Sequence, residues 1–330
     1  MAAGNLTKPE LKELARKVVV AQGNFFIKEL LRSNGAKIGA TKEEFAANLD
    51  DAIEKDVIDQ QKLEAWLKEI EGWGDQHLYV FQPPAVDSDH LAAGIAASPH
   101  SDLVNSVASL EFPDALELKH IELLAGGISM VWHQSKEGWN RWRPKDFAED
   151  AGLERYRFEA YRQRFDRSVV RYEWRFNDPY SAILIHRNTE IDHKLVFNDV
   201  RTALAAIGFP DVPFVSIPLN QAVKTAASKD KGMHSTRFEL DSGYVEMAST
   251  LADGGIESVE PVRVVLQSVD TAQFDRAQGM LHFAAEEHGI SRRVAVQVFG
   301  SEARLRIWAQ CKRDDVFQLL SLLWGYNSEQ

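Results

Sequence analysis

The chain has 330 residues, more than one compact core usually requires, so its length predicts two or three domains. Its composition, 45% hydrophobic and 26% charged, is typical of a globular protein and excludes a disordered or collagen-like chain. No apolar run approaches the ~20 residues of a membrane helix, so we expect no membrane partner. The net charge of −11 excludes a protein that is basic over its whole surface.

Two features predict a cytoplasmic location. The N-terminal residues contain no apolar stretch of the kind that a secretory signal requires. The single cysteine, Cys311, can form neither an internal disulfide nor a cysteine-based zinc site, which is usual in a reducing compartment. We find no P-loop, no dinucleotide-binding glycine motif and no zinc-peptidase spacing, so the sequence predicts no cofactor and no bound metal.

Residues 1–81 are predicted to form a helical domain. Apolar residues recur every three or four positions after Pro9, a residue that suits the first turn of a helix. Asn34-Gly35 predicts a left-handed end to a second helix, and Thr41 with Glu44 predicts the start of a third. A fourth helix is expected over residues 59–71.

Residues 82–113 are rich in proline, alanine, serine and glycine, which predicts a linker. The rest of the chain predicts two further domains, residues 114–217 and 235–330, and residues 218–234 are polar and predicted to be mobile. The expected fold class is α+β, with a small helical domain followed by a mixed body of antiparallel hairpins and packed helices.

Periodicity predicts the elements of the body. For the middle domain we expect helices over 114–130, 145–167 and 192–207, a hairpin over 168–176 and 181–186, and a strand over 212–217. For the last domain we expect strands over 236–240 and 262–267, a helix over 270–288, a hairpin over 293–299 and 303–309, and an apolar helix over 314–324.

One stretch of the helical domain has the pattern of a known module. Residues 34–49 combine, in order, Gly35, Ile38, Gly39, Lys42, Phe45 and Leu49. Over about residues 24–54 this pattern resembles the SAP family, whose helix–extended loop–helix modules commonly bind DNA. Asn48 stands where that family usually has an arginine. The resemblance implies a DNA-binding role for this part of the chain.

Charge is divided unevenly within the helical domain. From Lys8 to Lys42, eight basic residues stand against three acidic ones, whereas from Glu43 to Asp75 three stand against eleven. Such a division either orients a polyanion on one side or reflects solvated faces. Backbone N–H groups at the helix start favour a phosphate oxygen. The predicted phosphate contacts are Lys28, Arg32, Lys37, Thr41 and Lys42.

A second basic segment, residues 136–176, contains eleven basic, eight acidic and ten aromatic residues. Unpaired bases stack on aromatic rings while arginines hold phosphates, so this composition suits nucleic acid. However, some rings share one helical stripe (Phe158, Tyr161 and Phe165) and others share one strand face (Tyr172, Trp174 and Phe176), so we expect both groups in the core. The predicted contacts are the outward arginines Arg155, Arg162, Arg171 and Arg175.

The sequence favours a non-enzymatic nucleic-acid-binding protein, most readily a DNA-binding one, in which phosphates dominate affinity. Two alternatives remain open. A protein-interaction adaptor would use the acidic helices of residues 43–75, or self-associate through the apolar C-terminal helix. A magnesium-dependent nuclease would use Asp178, Asp192 and Lys194, although these residues are expected in a turn and a helix start.

Overall fold

The computed structural model describes residues 6–70, 72–86, 88–105, 113–124, 126–186, 192–209, 214–229, 233–240, 242–249, 255–271 and 276–329. The fold class is α+β, as predicted. The chain divides into two compact units, the first formed by Met1–Gln82 with Phe214–Gln330 and the second by Pro83–Pro213. Among the described residues, no helix combines the length and the apolar character needed to cross a membrane.

The helices are α1 (Lys8–Ala21), α2 (Asn24–Ser33), α3 (Lys42–Glu54), α4 (Gln60–Ile70), α5 (Ser88–Ala97), α6 (His193–Ala206), α7 (Asn220–Lys229), α8 (Glu260–Thr271), α9 (Ala285–His288) and α10 (Arg313–Ser328). The strands are β1 (Gly74–Phe81), β2 (Glu117–Leu124), β3 (Gly127–Arg141), β4 (Phe147–Ala151), β5 (Glu154–Phe158), β6 (Tyr161–Arg175), β7 (Ser181–His186), β8 (Met233–Leu240), β9 (Gly243–Ala248), β10 (Arg276–Phe283), β11 (Val294–Phe299) and β12 (Arg304–Gln310).

The four N-terminal helices confirm the sequence prediction, and so do their ends. Gly35 adopts a φ of 67° after α2, a conformation that glycine reaches without strain. The side chain of Thr41 accepts a hydrogen bond from the Glu44 N–H and so caps α3. Leu31 and Phe45 are fully buried, which ties α2 and α3 to the core of the helical region.

Helices α1 and α3 are joined by a ladder of ion pairs. Lys8 contacts Asp56 at 2.9 Å, Arg16 contacts Asp50 at 2.6 Å, and Lys12 contacts Glu54 between them. The basic and acidic halves seen in the sequence therefore meet each other at this point. This ladder therefore pairs three of the eight basic residues from Lys8 to Lys42 with acidic residues of the same chain.

In the first unit, the strands form an antiparallel sheet in the order β1-β12-β11-β10-β8-β9. Val296, Leu305 and Ile307 fill its buried face, where α7 packs against β10 and α10 packs against α7. Most apolar side chains of α10 are buried within the protein: Val316, Phe317, Leu319, Leu320 and Leu323. At Gly74, with a φ of 76°, an added Cβ would lie 2.3 Å from the Ala309 carbonyl oxygen, so a larger residue is excluded.

In the second unit, the strand order is β2-β3-β6-β7, again antiparallel. One face carries Met130, Tyr172 and Ile183, all fully buried. The other face is also buried but more polar, because Glu173 lies there and accepts a 2.6 Å hydrogen bond from the Ser129 hydroxyl. A carboxylate at this depth needs such a partner.

Several predicted elements differ from the structure. The helices expected over 114–130 and 145–167 are wrong, because these residues form β2 with β3 and β4, β5 and part of β6. Residues 262–267 are helical in α8, residues 276–283 form β10, and the polar segment 218–234 contains α7. The predicted linker contains α5. Residues 212 and 213 of the strand expected over 212–217 lie outside the described residues, while Ser216 forms an isolated bridge to Phe81.

Other predicted elements are confirmed. Both hairpins, 168–176 with 181–186 and 293–299 with 303–309, are present as antiparallel strand pairs. The helix expected over 192–207 is α6, capped by the Asp192 side chain, and the C-terminal helix is α10. The strand expected over 236–240 lies within β8.

Candidate nucleic-acid interface

Strands β3 and β6 continue beyond the strands that flank them. Strand β2 pairs with β3 only as far as His133, and β7 pairs with β6 only from Val170 onward. The β3–β6 pairing nevertheless runs to Arg141 and Tyr161, where the short β4–β5 hairpin follows. We call residues 136–162 the arm. Both faces of the β4–β5 hairpin are exposed along its whole length.

The arm exposes aromatic rings on strands and turns. The rings of Phe147 and Phe158 stack with their centroids 4.6 Å apart and their planes at 15°. Trp139 is 60% exposed, and Leu153 at the hairpin tip is fully exposed. The exposed rings of the arm are Trp139, Trp142, Phe147, Tyr156, Phe158 and Tyr161. These rings are available to stack on a ligand.

Sequence reasoning placed some of these rings wrongly. Phe158 and Tyr161, expected in the core, are exposed, whereas Tyr172 and Trp174 are buried as predicted. The side chain of Phe165 lies outside the described residues. The sequence does contain one local signal for the arm, the glycine at position 152. In the structure Gly152 adopts a φ of 68° in the turn that joins β4 to β5. Interpreted as a hairpin turn, this glycine precedes the alternating residues of β5.

An ion-pair cluster fixes the junction between the β3–β6 ribbon and the β4–β5 hairpin. The Arg141 guanidinium donates to both carboxylate oxygens of Asp146, and the Ala160 N–H donates to Asp146 at 2.9 Å. Arg141 also lies 3.0 Å from Glu159. The Arg141 guanidinium, followed by the Ala160 N–H, lowers the pKa of Asp146. Two acids of the arm are therefore held by one arginine.

The predicted arginines fall in two places on β5 and β6. Arg155 is exposed in the arm, 3.7 Å from Asp150, and Arg162 is exposed with its guanidinium 4.3 Å from the centre of the Trp142 ring. Arg175 is exposed at the far end of β6, while Arg171 is half-buried on the face that carries Glu173. Arg175 lies thirteen positions after Arg162 along β6, about 43 Å at ~3.3 Å per residue. The four arginines therefore do not form one contact patch.

The predicted contacts of the helical region differ in exposure. Arg32 and Lys37 are exposed. Lys28 is half-buried, with its ammonium 5.9 Å from the centre of the Phe45 ring, and the Lys42 ammonium donates to the Gln22 carbonyl. At the start of α3, Thr41 accepts from the Glu44 N–H, while the Glu44 carboxylate accepts from the Ala40 N–H at 2.6 Å. The Glu44 N–H, one of the donors predicted for a phosphate, therefore already has a partner.

The two acids considered for catalysis lie at a helix start and in a turn. Asp192 accepts from the Lys194 N–H at 2.9 Å, and Asp178 lies in the turn between β6 and β7. Among the residues that the structure describes, no group of three or more histidine, cysteine or acidic side chains could hold a metal ion. Cys311 is fully buried, and burial raises the pKa of its thiol. It is therefore a poor nucleophile.

Comparison with known proteins adds no family. No protein-family model matches this sequence, and no curated protein matches it. The function is therefore inferred from the chemistry of the arm and of the helical region.

Proposed function

We propose that this protein binds nucleic acid with unpaired bases and that the arm is its principal contact surface. The observation that carries the proposal is the cluster of exposed rings on the arm, interleaved with exposed arginines. Base stacking on an aromatic side chain contributes about 1–3 kcal/mol per base and tolerates any sequence. A clustered set of exposed rings is unusual on a protein that has no binding partner.

The charges of the arm favour stacking over extensive phosphate neutralisation. Residues 136–162 contain seven basic and six acidic residues, so the arm carries little net charge. Arg141 engages Asp146 and Glu159, while the Tyr156 hydroxyl donates to Glu154. With Arg155 and Arg162 as the phosphate contacts, the salt slope for a single strand should be only about −1.4, at ~0.7 per contact.

The helical region supplies additional phosphate contacts in this proposal. Arg32 and Lys37 are the two cations among the predicted contacts that are exposed, and both lie in the stretch that resembles the SAP family. Phosphate contacts position a protein without reading bases. We therefore expect this region to raise affinity for DNA of any sequence.

Oligonucleotide binding by fluorescence anisotropy tests the arm. We expect a labelled deoxythymidine oligonucleotide to bind, and Trp139→Ala and Tyr156→Ala each to weaken it by about 1–3 kcal/mol, a factor of roughly 5–150. Both rings are exposed, so the fold should be kept. Leu195→Ala on α6 is the matched control, because it also removes an exposed apolar side chain. Wild-type protein that binds no oligonucleotide at low salt would overturn the proposal.

A protein-interaction adaptor is the second candidate, favoured by the fully exposed Leu153 at the tip of the β4–β5 hairpin, whose other end carries the stacked Phe147 and Phe158. An apolar tip of this kind can enter a pocket on a protein partner or on a second copy. Sedimentation velocity separates the two functions. Self-association that Leu153→Ser abolishes, in a protein that binds no oligonucleotide, would favour the adaptor.

A further inference from the structure

The sheet of the first unit has a second face, opposite the one that packs on α7. On this second face, two rows of side chains cross β1, β12, β11, β10 and β8 in register. One row is His77, Arg306, Gln297, Met280 and Ser235, and the other is Tyr79, Arg304, Phe299, Gln278 and Arg237. All ten side chains are half-buried, so their outer atoms reach solvent. We call these ten residues, with Trp308, the sheet face.

The guanidinium groups of three arginines lie over aromatic rings across this surface. The Arg306 guanidinium lies 3.7 Å from the centre of the Trp308 ring, and Arg304 lies at the same distance from Phe299. Arg237 lies 3.8 Å from the ring centre of Tyr244 on β9. Trp308 is 46% exposed. An arginine held on a ring presents a flat cationic surface, on which an unpaired base can stack.

The sheet face is cationic at its centre. Neither row contains an aspartate or a glutamate. Arg304 is held by Glu302 at 2.7 Å and by His77 at 3.2 Å, so it acts as a fixed support. Among the described residues, no carboxylate lies within ion-pair distance of Arg306, whose charge is thus available to a phosphate. Glu246 faces Arg237 at the β9 edge, so a polyanion is expected to keep to the other strands.

We propose that the sheet face is a second binding surface, which holds a single strand of nucleic acid by base stacking and by the charge of Arg306. The proposal rests on the proposed nucleic-acid function but concerns a different surface from the arm. Trp308 and Phe299 provide the ring platforms, and Gln297 provides an amide that can bond a base edge. The occupant is a single strand, because stacking on a sheet requires unpaired bases.

The size of the surface predicts the length of strand bound. Crossing from β1 to β8 covers four interstrand spacings, about 19 Å at ~4.8 Å each. At the ~3.4 Å spacing of phosphates along a strand with stacked bases, this equals about five or six nucleotides. In a protein whose arm is disabled by Trp139→Ala and Tyr156→Ala, affinity should rise with length up to about six nucleotides and change little beyond it.

Arg306→Gln, made in the wild-type chain and in the arm double variant, tests the sheet face by anisotropy across a salt series. In both backgrounds we expect at least about fivefold weaker binding and a salt slope smaller by about 0.7. Arg263→Gln on α8 removes the same charge outside the sheet and should change affinity by less than about twofold. Crosslinking with an iodouracil-substituted strand, mapped by mass spectrometry, should label Trp308 or Phe299.

The outcomes separate the two surfaces. If Arg306→Gln binds like the wild type in both backgrounds, or if crosslinks map to the arm and none to Trp308 or Phe299, the sheet face is overturned and the arm stands. If the arm variants bind normally while Arg306→Gln does not, the sheet face stands and the arm assignment fails. A wild-type chain that binds no strand overturns both.

Discussion

The two ends of the β3–β6 pair show what decides whether an aromatic ring stabilises this protein. At one end, β2 and β7 extend the sheet, and Trp174 is 5% exposed against Phe209 and Phe176. At the other end, the same two strands have no flanking strand among the described residues, and Trp139 is exposed. Strand pairing alone does not bury side chains, because burial needs a neighbouring layer. The rings of the arm thus remain available for recognition.

The largest expected difference is in stability. Trp174→Ala should destabilise the protein by about 3–5 kcal/mol, because it leaves a cavity in the core of the second unit. Trp139→Ala should change the free energy of unfolding by less than about 0.5 kcal/mol. Urea denaturation measures both. An unchanged midpoint for Trp174→Ala would show that this end of the pair is as open as the arm.

His282 is partly covered, in contrast to the buried Trp174 and the exposed Trp139. The pH dependence of protein stability measures how far this histidine is shielded from solvent. His282 stacks on His234 at 3.9 Å, and its Nδ1 lies 2.8 Å from Arg293. Desolvation, followed by His234 and Arg293, lowers the pKa of His282 from 6.5 to about 4. Between these two values the unfolded chain binds a proton that the folded chain does not, so stability falls as pH decreases.

At acid pH the free energy of unfolding should fall by on the order of 1 kcal/mol once solvent screening is included. Thermal unfolding of wild type and His282→Gln between pH 7 and pH 4 measures it. The variant should show a flatter decline, because its side chain does not titrate. Equal pH dependence of the two proteins would show that this surface is fully solvated.

At the arm junction, we expect a substitution to change global stability less than at His282 but to increase local opening of the backbone. Asp146→Ala removes the partner of Arg141 and of the Ala160 N–H. Since solvent screens a pair near the surface, we expect only a small change in the free energy of global unfolding. Amide exchange at Ala160 should nevertheless become faster. Asp150→Ala, which removes only the 3.7 Å contact to Arg155, is the control and should leave that exchange rate unchanged.

The smallest effect is expected in the helical region. Lys37→Ala should lower the salt slope of duplex DNA binding by about 0.9, because one phosphate contact is lost. Lys42→Ala should lower it less, since the Lys42 ammonium already donates to the Gln22 carbonyl. The pair Lys37→Glu and Lys42→Glu should weaken binding further by repulsion, and similarly for unrelated sequences. A Glu pair that binds duplex DNA as tightly as the wild type would remove this region from the interface.

The sequence predicted elements whose signals are local. The cap at Thr41 and the turn at Gly35 depend on residues within one helical turn, and both are confirmed. The arm was missed because Phe158, Tyr161 and Phe165 fit a helical spacing, whereas the partners that make them strand residues lie more than ten positions away in the sequence. Single-sequence periodicity does not contain that long-range pairing.

Helix α8 was missed for a different reason. Val262, Val264 and Val265 are β-branched and favour a strand, but Val264 and Val265 are exposed in the structure. Pro261 stands at the second position of the helix, where the missing N–H costs little. This proline indicated a helix start, and it was a better guide to the structure than the β-branched residues. The ion pairs between the basic and acidic halves of the helical region were not predicted either. The acidic partners of Lys8, Lys12 and Arg16 lie about forty positions away in the sequence.

The burial of Cys311 has a practical consequence for following the arm in solution. Thiol-reactive dyes attack the thiolate of an accessible cysteine, and the one native cysteine is buried with a raised thiol pKa. A cysteine introduced as Leu153→Cys would stand at the fully exposed hairpin tip. The wild-type background therefore permits a single fluorophore on the arm without removal of any native residue, and its polarisation would report the motion of that tip when a strand binds.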